Sequence, residues 1–256
     1  GELAEDDLKS EKLEAYFIHT DAHLTGSVAV WIDETGERSM VSGKGADHYL
    51  LPSELPVKQL QRCGHLHLSA WSFFADPPRA AARRAAKIVH EAGGTISFDP
   101  GSFQLIGEMG VKAFLEITRD LSIDLLLPNY DEGKILTGKK TPPDMARKLS
   151  VLYPEALIAL KLDADGSLIL DKGKITEIPA GSNRLIDATG AGDSYAGAFL
   201  AKYLGGSSAV NAAKFATKIS AWVIEHLGAR PKGNAALRTI LRSANGATRT
   251  RRRSEK

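Results

Sequence analysis

At 256 residues, 43% of them apolar and 25% charged, the chain can bury a full core and is neither fibrous nor disordered in composition. Its 33 basic and 31 acidic residues leave a formal charge of +2, which excludes the strong global field of a nucleic-acid binder or a polybasic membrane binder. A single cysteine, Cys63, excludes an internal disulfide framework, and no apolar run approaches the about 18 residues needed to span a bilayer, so a cytoplasmic protein without nucleic-acid or membrane partners is expected.

Residues 1–14 hold six acids with Leu3, Leu8 and Leu13 interspersed, a solvated helix of modest amphipathicity. Residues 26–33 alternate and are β-rich, Glu34-Thr-Gly36 supplies a turn, and Arg38 to Val41 returns, so a hairpin is expected with no helix beside it. From residue 64 the rhythm changes. Apolar runs at 66–70, 95–98, 124–127 and 156–160 alternate with helical stretches, which predicts a mainly parallel sheet flanked by helices. The stretch 77–91 starts on Pro and stops at Gly93-Gly94 and reads as a helix. A second hairpin flanks Asp171-Lys-Gly173, and helices follow over 193–204, 207–227 and from Asn234. The reading is one α/β domain over 1–256, with a β appendage at about 14–45 and a flexible basic tail at about 245–256.

Leu185-Ile186 leads into Asp187-Ala-Thr-Gly-Ala-Gly-Asp193, and a closely packed helix follows. Glycines at a helix start expose backbone N–H groups in line with the helix dipole, and small residues let phosphate oxygens approach. Asp193 has two readings: a helix N-cap, or a base that takes the proton from a hydroxyl attacking a phosphoryl group held by those N–H groups.

The run from Asp187 to Leu200 resembles the C-terminal signature of the ribokinase/PfkB-type carbohydrate kinases, with Ala188 standing where that family usually has Thr or another short residue. The resemblance implies a ribokinase-like fold and transfer of the ATP γ-phosphoryl group to a hydroxyl of a sugar or nucleoside-like molecule. It makes Asp193 the catalytic base and Gly190, Ala191 and Gly192 the anion hole.

Three further stretches resemble family stations in the same order. Asn129 to Glu132 is similar to the Asn-x-x-Glu station whose acid orders water around Mg²⁺; a helix capping box is the alternative for this pair. Lys161 to Gly166 resembles the nucleotide-binding loop, with Asp163 where Gly is usual, and implies that Lys161 and Gly166 contact the nucleotide. Gly228-Ala-Arg230 resembles the turn beside the adenine; Thr217 in the preceding helix replaces the Asn of many members. Asp187 and Thr189 occupy positions that help hold a monovalent cation such as K⁺ in cation-activated members, and plain loop hydrogen bonding accounts for them equally well.

Thr25 to Arg38 resembles the β lid that closes over the sugar, and lids of this family often pair between subunits, which implies a homodimer. Members begin with an acid-bearing strand and a Gly-Gly-x-x-Asn station that grip the sugar, and neither precedes Thr25. Either such a segment is missing from this sequence, or the protein is a short form with impaired sugar binding. The second case would be a kinase-fold protein that binds nucleotide or a partner without phosphorylating.

Competing signals are weaker. Gly133 to Lys139 nearly matches a P-loop, but Lys140 replaces the Mg²⁺-ligating hydroxyl and the stretch ends a helix. Gly192-Asp-Ser194 matches the start of a serine hydrolase family without its late Asp-x-x-His. Cys63, His65 and His67 could share one strand face and invite zinc; a polar face of a half-buried strand is the plainer reading. Trp71 to Phe74 either packs the core or lines an acceptor pocket.

Overall fold

The structure is a computed structural model that describes residues 1–36, 38–181 and 184–251. Packing divides the chain into two compact units, Gly1–Val30 with Met40–Leu126 and Trp31–Ser39 with Leu127–Lys256.

The chain opens on α1 (Glu2–Ser10), which buries none of its residues. The expected hairpin follows as β1 (Ser27–Ile32) and β2 (Arg38–Gly43), a two-stranded sheet of its own. Its turn is set by Asp33: the carboxylate accepts the Thr35 N–H at 2.9 Å, and the Asp33 carbonyl accepts the Gly36 N–H at 3.0 Å.

In the first unit, α2 (Val57–Leu60) precedes β3 (His65–Ser69), α3 (Pro78–Glu91), β4 (Thr95–Asp99), α4 (Phe103–Met109), α5 (Val111–Thr118) and β5 (Leu125–Leu126). Strands β3, β4 and β5 pair in that order, all parallel, as helix-linked strands must. Helix α3 buries Ala81, Ala82, Ala85, Ala86 and Val89 on one stripe, and these small side chains let it lie close on β3 and β4. It stops where Gly93 takes φ +84°. The aromatic stretch after β3 divides its labour. Phe73 is fully buried edge-to-face on Phe98 at 5.4 Å, whereas Trp71 is half exposed.

In the second unit, α6 (Tyr130–Thr137) and α7 (Pro142–Leu152) precede β6 (Leu157–Lys161), β7 (Ser167–Asp171) and β8 (Lys174–Ile178). These three strands form an antiparallel meander, closed between β7 and β8 by Lys172 and Gly173 at φ +48° and +79°. Helices α8 (Ala191–Tyr203), α9 (Ala209–Ile224) and α10 (Ala235–Arg251) follow. α8 and α9 pack closely because Ala212, Ala213 and Ala216 of α9 are all buried. α10 carries helical backbone to Arg251 where a flexible tail is expected from about 245; the rest of the basic run, Arg252 and Arg253, lies outside the described residues. Among the described residues no helix is long and apolar enough to cross a membrane.

The Cys63, His65 and His67 group forms hydrogen bonds and not a metal cluster; among the described residues no group of three or more candidate ligands occurs. The Cys63 thiol donates to the His65 carbonyl at 2.8 Å. Ser97, fully buried, lies 2.8 Å from both His65 Nε2 and His67 Nδ1, and His65 Nδ1 lies 2.8 Å from Thr95 Oγ1. Since Thr95 donates onward to the Gly64 carbonyl, it accepts from His65 Nδ1–H, and His65 Nε2 then accepts from Ser97. That chain requires a neutral His65. Burial, followed by the neighbouring His67, lowers its pKa below the usual value of 6.5.

A histidine with a lowered folded pKa contributes stability above its unfolded pKa, near 6.5, and loses that contribution as pH falls through the folded value. We expect the melting temperature to fall between pH 8 and pH 5 by more in the native protein than in His65→Asn; equal falls would refute the role of this network.

Candidate functional site

The residues singled out by the sequence gather in the second unit around the start of α8. The approach to it, Leu185 to Ala188, lies outside any helix or strand and is held from two sides. Ile186 and Asp187 N–H groups both donate to the Ile224 carbonyl at the end of α9, at 2.8 and 3.2 Å. The Ala188 N–H donates to the Gly36 carbonyl in the β1–β2 turn at 3.3 Å. Gly36 has φ +84°, and a Cβ there would stand 2.7 Å from Leu185 Cγ, so only glycine fits.

Asp187 is 1% exposed, and each of its oxygens accepts a backbone N–H: Thr189 at 2.8 Å and Gly228 at 2.7 Å. One carboxylate thus ties the loop before α8 to the turn after α9. Gly190 continues the loop at φ +81°, and a Cβ on it would lie 2.7 Å from the Ala229 carbonyl oxygen. The Thr189 hydroxyl oxygen is buried and has no hydrogen-bond partner.

The N-cap of α8 is Gly190, not Asp193, which corrects the capping alternative. The first helical bond runs from Ser194 N–H to the Gly190 carbonyl at 2.9 Å, which puts Asp193 at the third helical position with an exposed carboxylate. Its location in the first turn suits a negative charge. Of the N–H groups assigned to the anion hole, that of Ala191 is engaged with the Ala188 carbonyl at 3.2 Å. That of Gly192 lies in the first turn, where a helix offers no internal acceptor, as does the N–H of Asp193, which the sequence reading did not include. Ser194 is no activated nucleophile: its hydroxyl donates to the Ala191 carbonyl at 3.0 Å.

Lys161 ends β6 and brings its ammonium to this helix start. A Cβ built on Gly192 would lie 3.5 Å from Lys161 Nζ. An ammonium beside backbone N–H groups at a helix start is a combination that can bind phosphate oxygens. The Lys161 N–H donates to the Pro128 carbonyl at 2.8 Å, and Lys161 and Asn129 form a parallel bridge, which sets the Asn129 station beside it.

Asn129 and Glu132 do form the capping box of α6. The Asn129 side chain accepts from Glu132 N–H at 2.8 Å, and Glu132 Oε2 accepts from Asn129 N–H at 2.8 Å. Glu132 is 1% exposed and also accepts from Asn129 Nδ2 at 3.1 Å. Gly138 ends α6 in the left-handed region at φ +67°, so the P-loop-like stretch closes a helix as expected.

Gly166 has a structural duty: at φ +90°, a Cβ would meet the Ile178 carbonyl oxygen at 2.1 Å. Asp163 takes φ +50° in the same loop, a left-handed position that Gly fills most easily and Asp tolerates. That geometry accounts for Asp163 where the resemblance expects Gly. Thr217 bonds back to the Ala213 carbonyl at 3.0 Å within α9.

Two residues were missed by sequence reasoning. Tyr195 of α8 donates its hydroxyl to Ser167 Oγ of β7 at 2.8 Å, and burial pushes the phenol up to about 12. A Tyr two places after the candidate base gives no sign in sequence of a partner 28 residues away.

The sequence model of the pfkB family carbohydrate kinase matches residues 1–235. An uncharacterized sugar kinase of Archaeoglobus fulgidus is 25% identical over 232 residues, covering 90% of this chain and 88% of its own. The crystal structure of adenosine kinase from Sinorhizobium meliloti superposes with a TM-score of 0.85 at 25% identity, over 95% of this chain and 73% of that one. A ribokinase II from E. coli, solved in complex with ATP and Mg²⁺, superposes at 0.73 with 23% identity, over 86% of this chain and 72% of that one. The fold is ribokinase-like α/β, as the resemblance implies.

Gly190→Ala forces a side chain into a positive-φ site against the Ala229 backbone, at a cost of about 2–4 kcal/mol. Calorimetry should show a fall in melting temperature of roughly 5–15 °C. Gly197→Ala on the open face of the same helix should instead raise stability by about 0.5–1 kcal/mol.

Proposed function

The chain belongs to the pfkB family of carbohydrate kinases, and on that premise we propose that it transfers the γ-phosphoryl group of ATP to a hydroxyl of a sugar or nucleoside-like small molecule. The observation that carries this reading is the exposed Asp193 carboxylate in the first turn of α8, in the turn that also holds Gly192 with the Lys161 ammonium close by.

In this reaction Asp193 takes the proton of the acceptor hydroxyl, whose oxygen forms the new bond to the γ-phosphorus. The bond to the β,γ-bridging oxygen breaks, and ADP leaves with that electron pair. The Gly190 and Gly192 N–H groups, with that of Asp193 itself, stabilise charge on the phosphoryl oxygens. The Ala191 N–H, turned to the Ala188 carbonyl, serves the loop. Lys161 neutralises phosphate charge. Gly166 shapes the nucleotide loop, and Gly228, held by Asp187, shapes the adenine-side turn.

Mg²⁺ fits this site through Glu132, a buried carboxylate that the Asn129 N–H and Nδ2 groups hold in place and whose oxygens are the hard donors this ion takes. Glu132 would order water of its hydration shell, with Asn129 holding the acid in place. When bound, the ion neutralises phosphate charge. ATP with Mg²⁺ is what the E. coli neighbour holds. A monovalent cation such as K⁺ fits the unpartnered Thr189 hydroxyl oxygen beside Asp187, a hard all-oxygen pair of donors. We further propose that the hairpin pairs with a second copy of the chain, since Val28, Trp31, Met40 and Val41 are all more than 45% exposed.

Asp193→Asn should lower turnover by about 10²–10⁴-fold while leaving ADP affinity within about twofold. Unchanged turnover would defeat the assignment, and ADP binding without acceptor-dependent turnover in the native protein would mark a binding protein instead. Replacing choline chloride with KCl should raise the melting temperature of the native protein and have less effect on Thr189→Val. Equal responses would remove the cation from the site.

A further inference from the structure

The proposed phosphate site has three parts on separate elements: the start of α8, the Lys161 ammonium at the end of β6, and the Asn129 station. What fixes the first against the second is visible in the strand register. Lys161 is directly opposite Ser167 in the antiparallel β6–β7 pair. Directly opposed residues of such a pair project to the same face with Cβ atoms about 5 Å apart. Ser167 is 1% exposed, and its hydroxyl oxygen accepts from the Tyr195 hydroxyl at 2.8 Å.

Tyr195 is itself 4% exposed and lies on α8 two residues after the candidate base and three after Gly192. Three residues is close to one helical turn, so Tyr195 and Gly192 share a face of α8. That face meets the same cross-strand pair twice, once through the Tyr195–Ser167 hydrogen bond and once where Lys161 Nζ approaches Gly192.

We propose that the Tyr195–Ser167 hydrogen bond is the positioning contact that sets the height and rotation of the α8 N-terminus against the Lys161 ammonium, and so fixes the width of the phosphate subsite. The inference rests on the reading of Lys161 and the α8 start as phosphate ligands. Neither Tyr195 nor Ser167 touches the phosphate; both act through Lys161 and Gly192. The phenol, pushed up to about 12 by burial, remains a hydrogen donor throughout the neutral range. Replacing Tyr by Phe keeps the ring, which stacks on Phe199 at 6.2 Å, and removes only the tie to the strand.

A cycle on MgADP binding, read by calorimetry, tests this. Lys161→Ala should weaken binding about tenfold, the loss of one charge-assisted contact. Tyr195→Phe should weaken it about three- to fivefold, and Ser167→Ala should match it. In the Lys161→Ala background Tyr195→Phe should add less than about 1.5-fold, because its effect passes through the lysine. The Tyr195→Phe/Ser167→Ala double variant leaves no buried hydroxyl unpaired and should bind as weakly as either single variant while recovering part of any lost melting temperature. A merely structural bond would lower the melting temperature and leave MgADP affinity unchanged, which would overturn the proposal, as would equal weakening in both backgrounds. Unchanged binding in Lys161→Ala would overturn the phosphate reading of Lys161 and this inference with it. A loss in Lys161→Ala with none in Tyr195→Phe would overturn the inference alone.

Discussion

The buried carboxylate of Asp187 is the constraint on which the rest of the site depends. It satisfies the Thr189 N–H on one side and the Gly228 N–H on the other, so two loops from distant parts of the chain share one anchor. The carboxylate itself is 1% exposed, and a buried charge left without such donors would cost more than about 1–3 kcal/mol. With that anchor in place, Gly190 lies against Ala229, and α8 starts at the next residue. Asp193, Gly192 and the Lys161 ammonium acquire their relation from this start.

Much of this was legible in the sequence, because its signals are local. The glycine turn, the Pro and Gly–Gly bounds of α3, and the alternation before Glu34-Thr-Gly36 each state their own backbone conformation. The capping box at Asn129 and Glu132 was legible for the same reason, since both bonds span three residues. The parallel order of β3, β4 and β5 followed from the helices between them.

What was illegible depends on register and close approach. Nothing in the spacing of Ser167 and Tyr195 announces their bond, which exists only once β6 and β7 pair and α8 docks on them. Spacing alone left Asp193 readable as a cap or as a base, and the helix start at Ala191 gives the capping position to Gly190. Gly166 read as a nucleotide contact, and its proximity to the Ile178 carbonyl shows that the fold itself demands a glycine there. The departure at Asp163 is explained by backbone conformation alone, since Asp is among the side chains that accept a left-handed φ.

The turn of the β1–β2 hairpin touches the approach to α8 through Gly36, whose carbonyl receives the Ala188 N–H and whose bare α-carbon admits Leu185. Two parts of the gene that look independent are therefore joined by a fixed loop length. The turn from Asp33 to Gly36 cannot lengthen, because one extra residue would displace the partner of Ala188. The tip of the hairpin is thus expected to tolerate substitution at Glu34 and to reject every insertion, a pattern set by the site it braces and not by the hairpin itself.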